Sequence, residues 1–79
     1  MTNQNRPLHE IAREISQDWK NLSPYAKPYV EAMSTLDKIT DNYMVDSAKE
    51  IVLRFLSNAG TWRGETAKRV KLELNKMAK

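Results

Sequence analysis

From Leu8 onward, apolar residues recur at Leu8, Ile11, Ala12, Ile15, Trp19 and Leu22, while Glu10, Arg13, Glu14 and Gln17 fall between them. At about 100° per residue these positions share a stripe about 100° wide, the spacing of an amphipathic helix lying on a core. Pro7 suits the first helical position, because its missing N–H would be unpaired there anyway. Met1 to Arg6 is polar and without period, and reads as a flexible terminus. Asn21, Ser23 and Pro24 then interrupt the pattern. A helix running through both Pro24 and Pro28 would lose the Pro28 amide bond to the Pro24 carbonyl and clash there. A second, shorter helix is therefore expected to start at Lys27 or Pro28, with Tyr29, Ala32, Met33 and Leu36 inward and Tyr25 packing across its start.

Between Leu36 and Asp46 the apolar spacing is irregular, and Asp37, Thr40, Asp41 and Asn42 all compete with helix by bonding to nearby backbone. Residues 36–46 thus read as an irregular loop with room for one helical turn around Ile39 to Tyr43. Asp46 or Ser47 can cap a third helix, and Ser47 with Glu50 makes a capping box. Its inward positions are Ala48, Ile51, Val52, Phe55, Leu56 and Ala59, and Gly60 supplies the left-handed residue on which many helices end. Thr61 is the expected cap of a fourth helix from Trp62 to about Met77, roughly 24 Å long. Gly64 sits awkwardly in its first turn, where glycine costs up to ~1 kcal/mol relative to alanine. Either the helix begins at Glu65 or another backbone comes close. Trp62, Ala67, Val70, Leu74 and Met77 form its apolar side, with Lys68, Arg69, Lys76 and Lys79 opposite and Leu72 among them. No run has the period of a strand, and no internal repeat is present. The expected fold is all-α over residues 1–79 as one domain: a small bundle of three main helices plus one shorter proline-started helix, with 1–6 flexible.

Composition narrows this picture. A chain of 79 residues buries only about 60% of the surface it exposes when unfolded, so its core is thin. It has no cysteines, which leaves helix packing or self-association to supply stability. No apolar run approaches the ~20 residues of a membrane span, and the polar start lacks the core of a signal peptide, so a cytoplasmic protein is expected. The net charge of +3 is unevenly spread: residues 63–79 hold six Lys/Arg against two acids, whereas residues 1–62 hold seven against eight. A basic end on a near-neutral body speeds encounter with an acidic partner, whether protein or nucleic acid. It excludes an acidic mimic of DNA.

Candidate chemistry is sparse. His9 is the lone histidine and lacks the neighbours of a metal site or a catalytic base. Asp37, Asp41, Asp46 and Glu50 lack the spacing and glycine of a calcium loop, and read as capping or solvated acids. Gly60 and Gly64 around a helix start resemble an anion nest only weakly, and a helix end followed by a tight helix start explains them. With no phosphate-cradling loop, nucleophile elbow or ligand cluster, neither an enzyme nor a metal or cofactor is expected. The third and fourth helices have the order of a helix-turn-helix. Thr66, however, falls where an apolar packing residue belongs, and Gly64 weakens the turn that would present side chains to bases. Trp19 and Trp62 lie on core stripes rather than on a base-stacking surface.

The blocks PLHEIAREISQDW (Pro7 to Trp19), PYVEAM (Pro28 to Met33) and FLSNAGTWRGETAKRVKLEL (Phe55 to Leu74) resemble small proteins encoded by bacteriophages, prophages and other bacterial mobile elements. The resemblance covers most of the chain and carries no established activity or site residues. What it implies is context, because small phage proteins without enzymatic motifs often inhibit host nucleic-acid or defence machinery, CRISPR effectors included. The expected function is a non-enzymatic inhibitor or modulator of a bacterial protein or nucleoprotein complex, of the anti-CRISPR kind. Arg63, Gly64, Lys68, Arg69, Leu72 and Lys76 are its expected contact residues. Direct DNA or RNA binding by the same face is the alternative, and a self-associating assembly protein is the second.

Overall fold

The computed structural model describes residues 6–78; most of the expected flexible terminus, Met1 to Asn5, and the basic Lys79 lie outside the described residues. In order come α1 (Leu8–Asp18), α2 (Lys27–Met33), β1 (Asn42–Tyr43), β2 (Asp46–Ser47), α3 (Ala48–Ser57) and α4 (Glu65–Met77). The helices pack in a closed cycle, α1 on α2, α2 on α3, α3 on α4 and α4 on α1. Every side chain expected on an inner stripe is buried or half-buried. The core is wholly apolar, with Leu8, Ile11, Ile15, Met33, Val52, Phe55, Val70 and Leu74 fully shielded.

The mostly helical fold is not purely α. Asn42 pairs with Ser47 and Tyr43 with Asp46 in a two-stranded antiparallel hairpin, where the sequence reading has an irregular loop. Strands of two residues are too short to show an alternation, so periodicity cannot reveal them. Local polar chemistry builds the hairpin instead. The Asp41 carboxylate accepts the amides of Lys38 and Asp37 at 2.9 and 3.1 Å, and the Ala48 amide donates to the Asp41 carbonyl at 2.8 Å. Those amides, Lys38 first, lower the pKa of the Asp41 carboxyl.

The helix ends carry further corrections. α1 stops at Asp18, and Trp19 takes a non-helical φ/ψ of −92°/82°, so Leu22 reaches the core from a turn. The first amides of α1 are satisfied by neighbouring backbone: Leu8 donates to the Asp37 carbonyl and His9 to that of Leu36, at 2.8 and 2.9 Å. α2 starts at Lys27, with Pro28 in its first turn. Val30 joins its inward residues, while Tyr25 is 75% exposed and does not pack across the start. At α3 the Ser47 hydroxyl accepts the Glu50 amide at 3.1 Å. The reciprocal half of the capping box is replaced, because the Glu50 carboxylate pairs with Arg54 one turn on. Ser47→Ala should cost about 1 kcal/mol, the usual worth of such a cap, read as a lowered urea midpoint with unchanged slope.

Candidate partner-binding face

What fixes α4 against the body is an aromatic cluster at the segment preceding it. Trp19 and Trp62 stack at 5.6 Å with their planes 7° apart, and Phe55 meets both edge-on at 6.4 and 6.3 Å. Such pairs add about 0.5–1.5 kcal/mol each beyond the area they bury. The indole N–H of Trp62 donates to Asp18 Oδ2 at 2.8 Å, and the Lys71 amine donates to the Trp62 carbonyl at 2.6 Å. Burial, and then the charge of Arg63, lower the pKa of that amine. Trp62 is therefore held from α1, α3 and α4 together.

This arrangement revises the roles read for the glycines. Gly64, not Gly60, carries the positive φ, 113° with ψ −179°, a region open essentially to glycine alone. α3 ends on Asn58 at φ −110°. Its last carbonyls are met locally and not by a left-handed glycine: the Asn58 and Ala59 amides donate to Phe55 O and Leu56 O at 2.9 and 3.4 Å, Ser57 Oγ to Leu53 O at 3.1 Å and Asn58 Nδ2 to Arg54 O at 2.8 Å. Thr61 is exposed and does not cap α4, which begins at Glu65 after Gly64. Trp62 thus lies in the connecting segment rather than on α4, as it must to reach Trp19.

With its inner stripe committed to the core, α4 turns the predicted contact residues outward. Arg63, Gly64, Lys68, Arg69, Leu72 and Lys76 are all exposed, and Leu72 is 59% so. Their charges are not equivalent. Arg69 pairs with Glu14 on α1, whereas Arg63, Lys68 and Lys76 form no ion pair among the described residues. Arg6, which the sequence reading leaves in the terminus, belongs to the same network. Its Nε and Nη2 donate to the two oxygens of Glu73 at 3.0 and 2.8 Å. Nη2 also lies 2.9 Å from Glu14 Oε1, close enough for an ion pair but poorly aligned for a hydrogen bond. The acids that answer Arg6 and Arg69 sit on two different helices, a relation no local spacing reveals.

The network has a pH signature. Burial opposes ionisation of Glu14, but the Arg69 and Arg6 guanidinium groups outweigh it and leave the carboxyl pKa lowered. The unfolded chain then binds this proton more readily, so the stabilisation is present above the ordinary glutamate range and is lost as pH falls through the folded-state value. Glu14→Gln should cost about 1 kcal/mol at neutral pH, the upper end for partly exposed pairs. The gap to wild type should close on acidification in paired urea titrations; a pH-independent gap would assign the loss to packing.

Among the described residues no helix is long and apolar enough to cross a membrane, and no three His, Cys, Asp or Glu side chains gather as a metal site. Seven residues, Asn58 to Gly64, separate α3 from α4, more than the about three to four of a helix-turn-helix turn. Comparison with protein-family models, with curated proteins and with solved structures gives no match.

Proposed function

We propose that this chain is a non-enzymatic docking protein that inhibits or modulates a bacterial protein or nucleoprotein complex through the outward face of α4. One observation carries the reading: an exposed leucine, Leu72, stands beside Lys68 and Lys76, two lysines without an ion pair among the described residues, on a helix whose opposite side is wholly consumed by the core. An apolar contact ringed by cations suits a partner with an acidic rim around an apolar patch, where charge sets encounter rate and the leucine supplies burial. Arg63 extends the cationic edge, and Arg69 serves by holding α4 on α1 more than by reaching outward. The resemblance to phage-encoded proteins directs the search for the partner to host nucleic-acid and defence machinery.

Capture from a bacterial lysate with the tagged protein tests this. The double variant Lys68→Glu, Lys76→Glu should retain its helical circular dichroism yet bind the captured partner about tenfold more weakly, chiefly through a slower on-rate. Equal capture by the double variant would remove this face from the account. Tight binding of the purified protein to DNA or RNA, falling steeply as salt is raised, would replace docking with direct phosphate contact.

A further inference from the structure

The hairpin ends in two apolar side chains that cover nothing among the described residues. Met44 and Val45 form its two-residue turn and are 85% and 98% exposed. Met44 holds φ 56°, a left-handed conformation that costs an L residue roughly 1–2 kcal/mol and that glycine or asparagine would adopt more readily. Below the turn the backbone is pinned by the Asp41 bonds already described, so the tip is an apolar peg on a fixed base. The acids nearest the turn are Asp41 and Asp46; Glu50 is answered by Arg54, and Asp37 is set against Lys38 and Lys49, which leaves a slight acidic excess at the tip. A phosphate surface, whether nucleic acid or anionic lipid, finds no cationic excess there. The peg fits an apolar floor with a cationic rim.

The outward face of α4 offers Leu72 between Lys68 and Lys76, neither of which forms an ion pair among the described residues. Beside Leu72 lies a shallow hollow of about 370 Å³ also lined by Lys76, Arg6, Arg69 and Glu73, in which Arg6 and Arg69 are already paired with Glu73 and Glu14. We infer that the Met44–Val45 tip of one copy seats on the Leu72 groove of a second copy, with Asp41 and Asp46 beside Lys68 and Lys76. Tip and groove are different surfaces, so the contact is head-to-tail and repeats into rings or open chains. Two side chains bury far less than the roughly 1,200 Å² of a stable interface, which makes the association weak and strongly concentration-dependent. The inference goes beyond docking on a host complex and needs no host component. Self-association would occupy the docking face and so compete with a host partner, but its failure would leave the docking proposal standing.

The chain contains no cysteine, so engineered thiols report the contact without background. Val45→Cys and Leu72→Cys, both at exposed positions and each checked for native circular dichroism, are mixed at high concentration under mild oxidation. The mixed cross-link should exceed both homodimeric ones well beyond random collision. In sedimentation equilibrium the wild-type average mass should rise with concentration, and Val45→Ser should weaken this association about tenfold. A wild type that stays monomeric at the highest concentration, a mixed cross-link at the random proportion, or cross-linking confined to Leu72→Cys pairs would each overturn the inference.

Discussion

Replacing Trp62 by alanine is expected to cost about 3–5 kcal/mol, the range for deleting a large buried aromatic side chain. Trp62 is 2% exposed, stacks on Trp19, meets Phe55 edge-on and ties its indole N–H to Asp18. It therefore joins the end of α1, the last turn of α3 and the approach to α4. A domain of this size holds roughly 4–12 kcal/mol in total, at about 0.05–0.15 kcal/mol per residue. The variant should thus be largely unfolded at physiological temperature or close to it. Trp62→Phe keeps a ring on Trp19 but loses the hydrogen bond to the exposed Asp18 and part of the buried volume. It should cost less, about 1–3 kcal/mol. Urea unfolding followed by circular dichroism measures both, and a Trp62→Ala variant within about 1 kcal/mol of wild type would show that α4 is held some other way.

The second large effect separates the two glycines. Gly64→Ala places a side chain at φ 113°, ψ −179°, where an L residue is strained by about 1–3 kcal/mol. Among the described residues, chain neighbours aside, no atom lies within 4 Å of the added methyl at either glycine, so the penalty at Gly64 is one of backbone conformation and not of crowding. At Gly60 the φ lies outside the left-handed region, and alanine should be neutral or stabilising by about 0.4–1 kcal/mol through the unfolded chain. Thermal unfolding of the two variants side by side tests the assignment. A larger loss at Gly60 than at Gly64 would reverse it and restore Gly60 as the residue that ends α3.

That pair also shows what the sequence can and cannot convey. Spacing at Leu8, Ile11 and Ile15, at Ile51, Val52 and Phe55, and at Val70, Leu74 and Met77 marks the buried stripes, because amphipathic helices declare their inner face every three to four residues. Lys68, Leu72 and Lys76 follow as the outward side of the same helix. The hairpin did not announce itself, since Asn42, Tyr43, Asp46 and Ser47 give only two residues per strand, and Met44 stands where turn chemistry favours glycine or asparagine. A chain interruption between Phe55 and Glu65 was readable, but its conformation was not. Two glycines four residues apart offer the same freedom, and the choice between them depends on where Trp62 must go to meet Trp19. The state of Arg69 was hidden for a similar reason: its partner Glu14 is far away in the chain, so a cation read as free for a partner is engaged in holding α4.

Docking through the outward face of α4 is tested by adding the purified captured partner to ¹⁵N-labelled protein and following backbone amide signals. Shifts are expected to centre on Arg63, Lys68, Leu72 and Lys76, with the outward residues of α3, Leu53 and Arg54, unchanged. Perturbations centred on α2 and α3, with the outward residues of α4 silent, would contradict it.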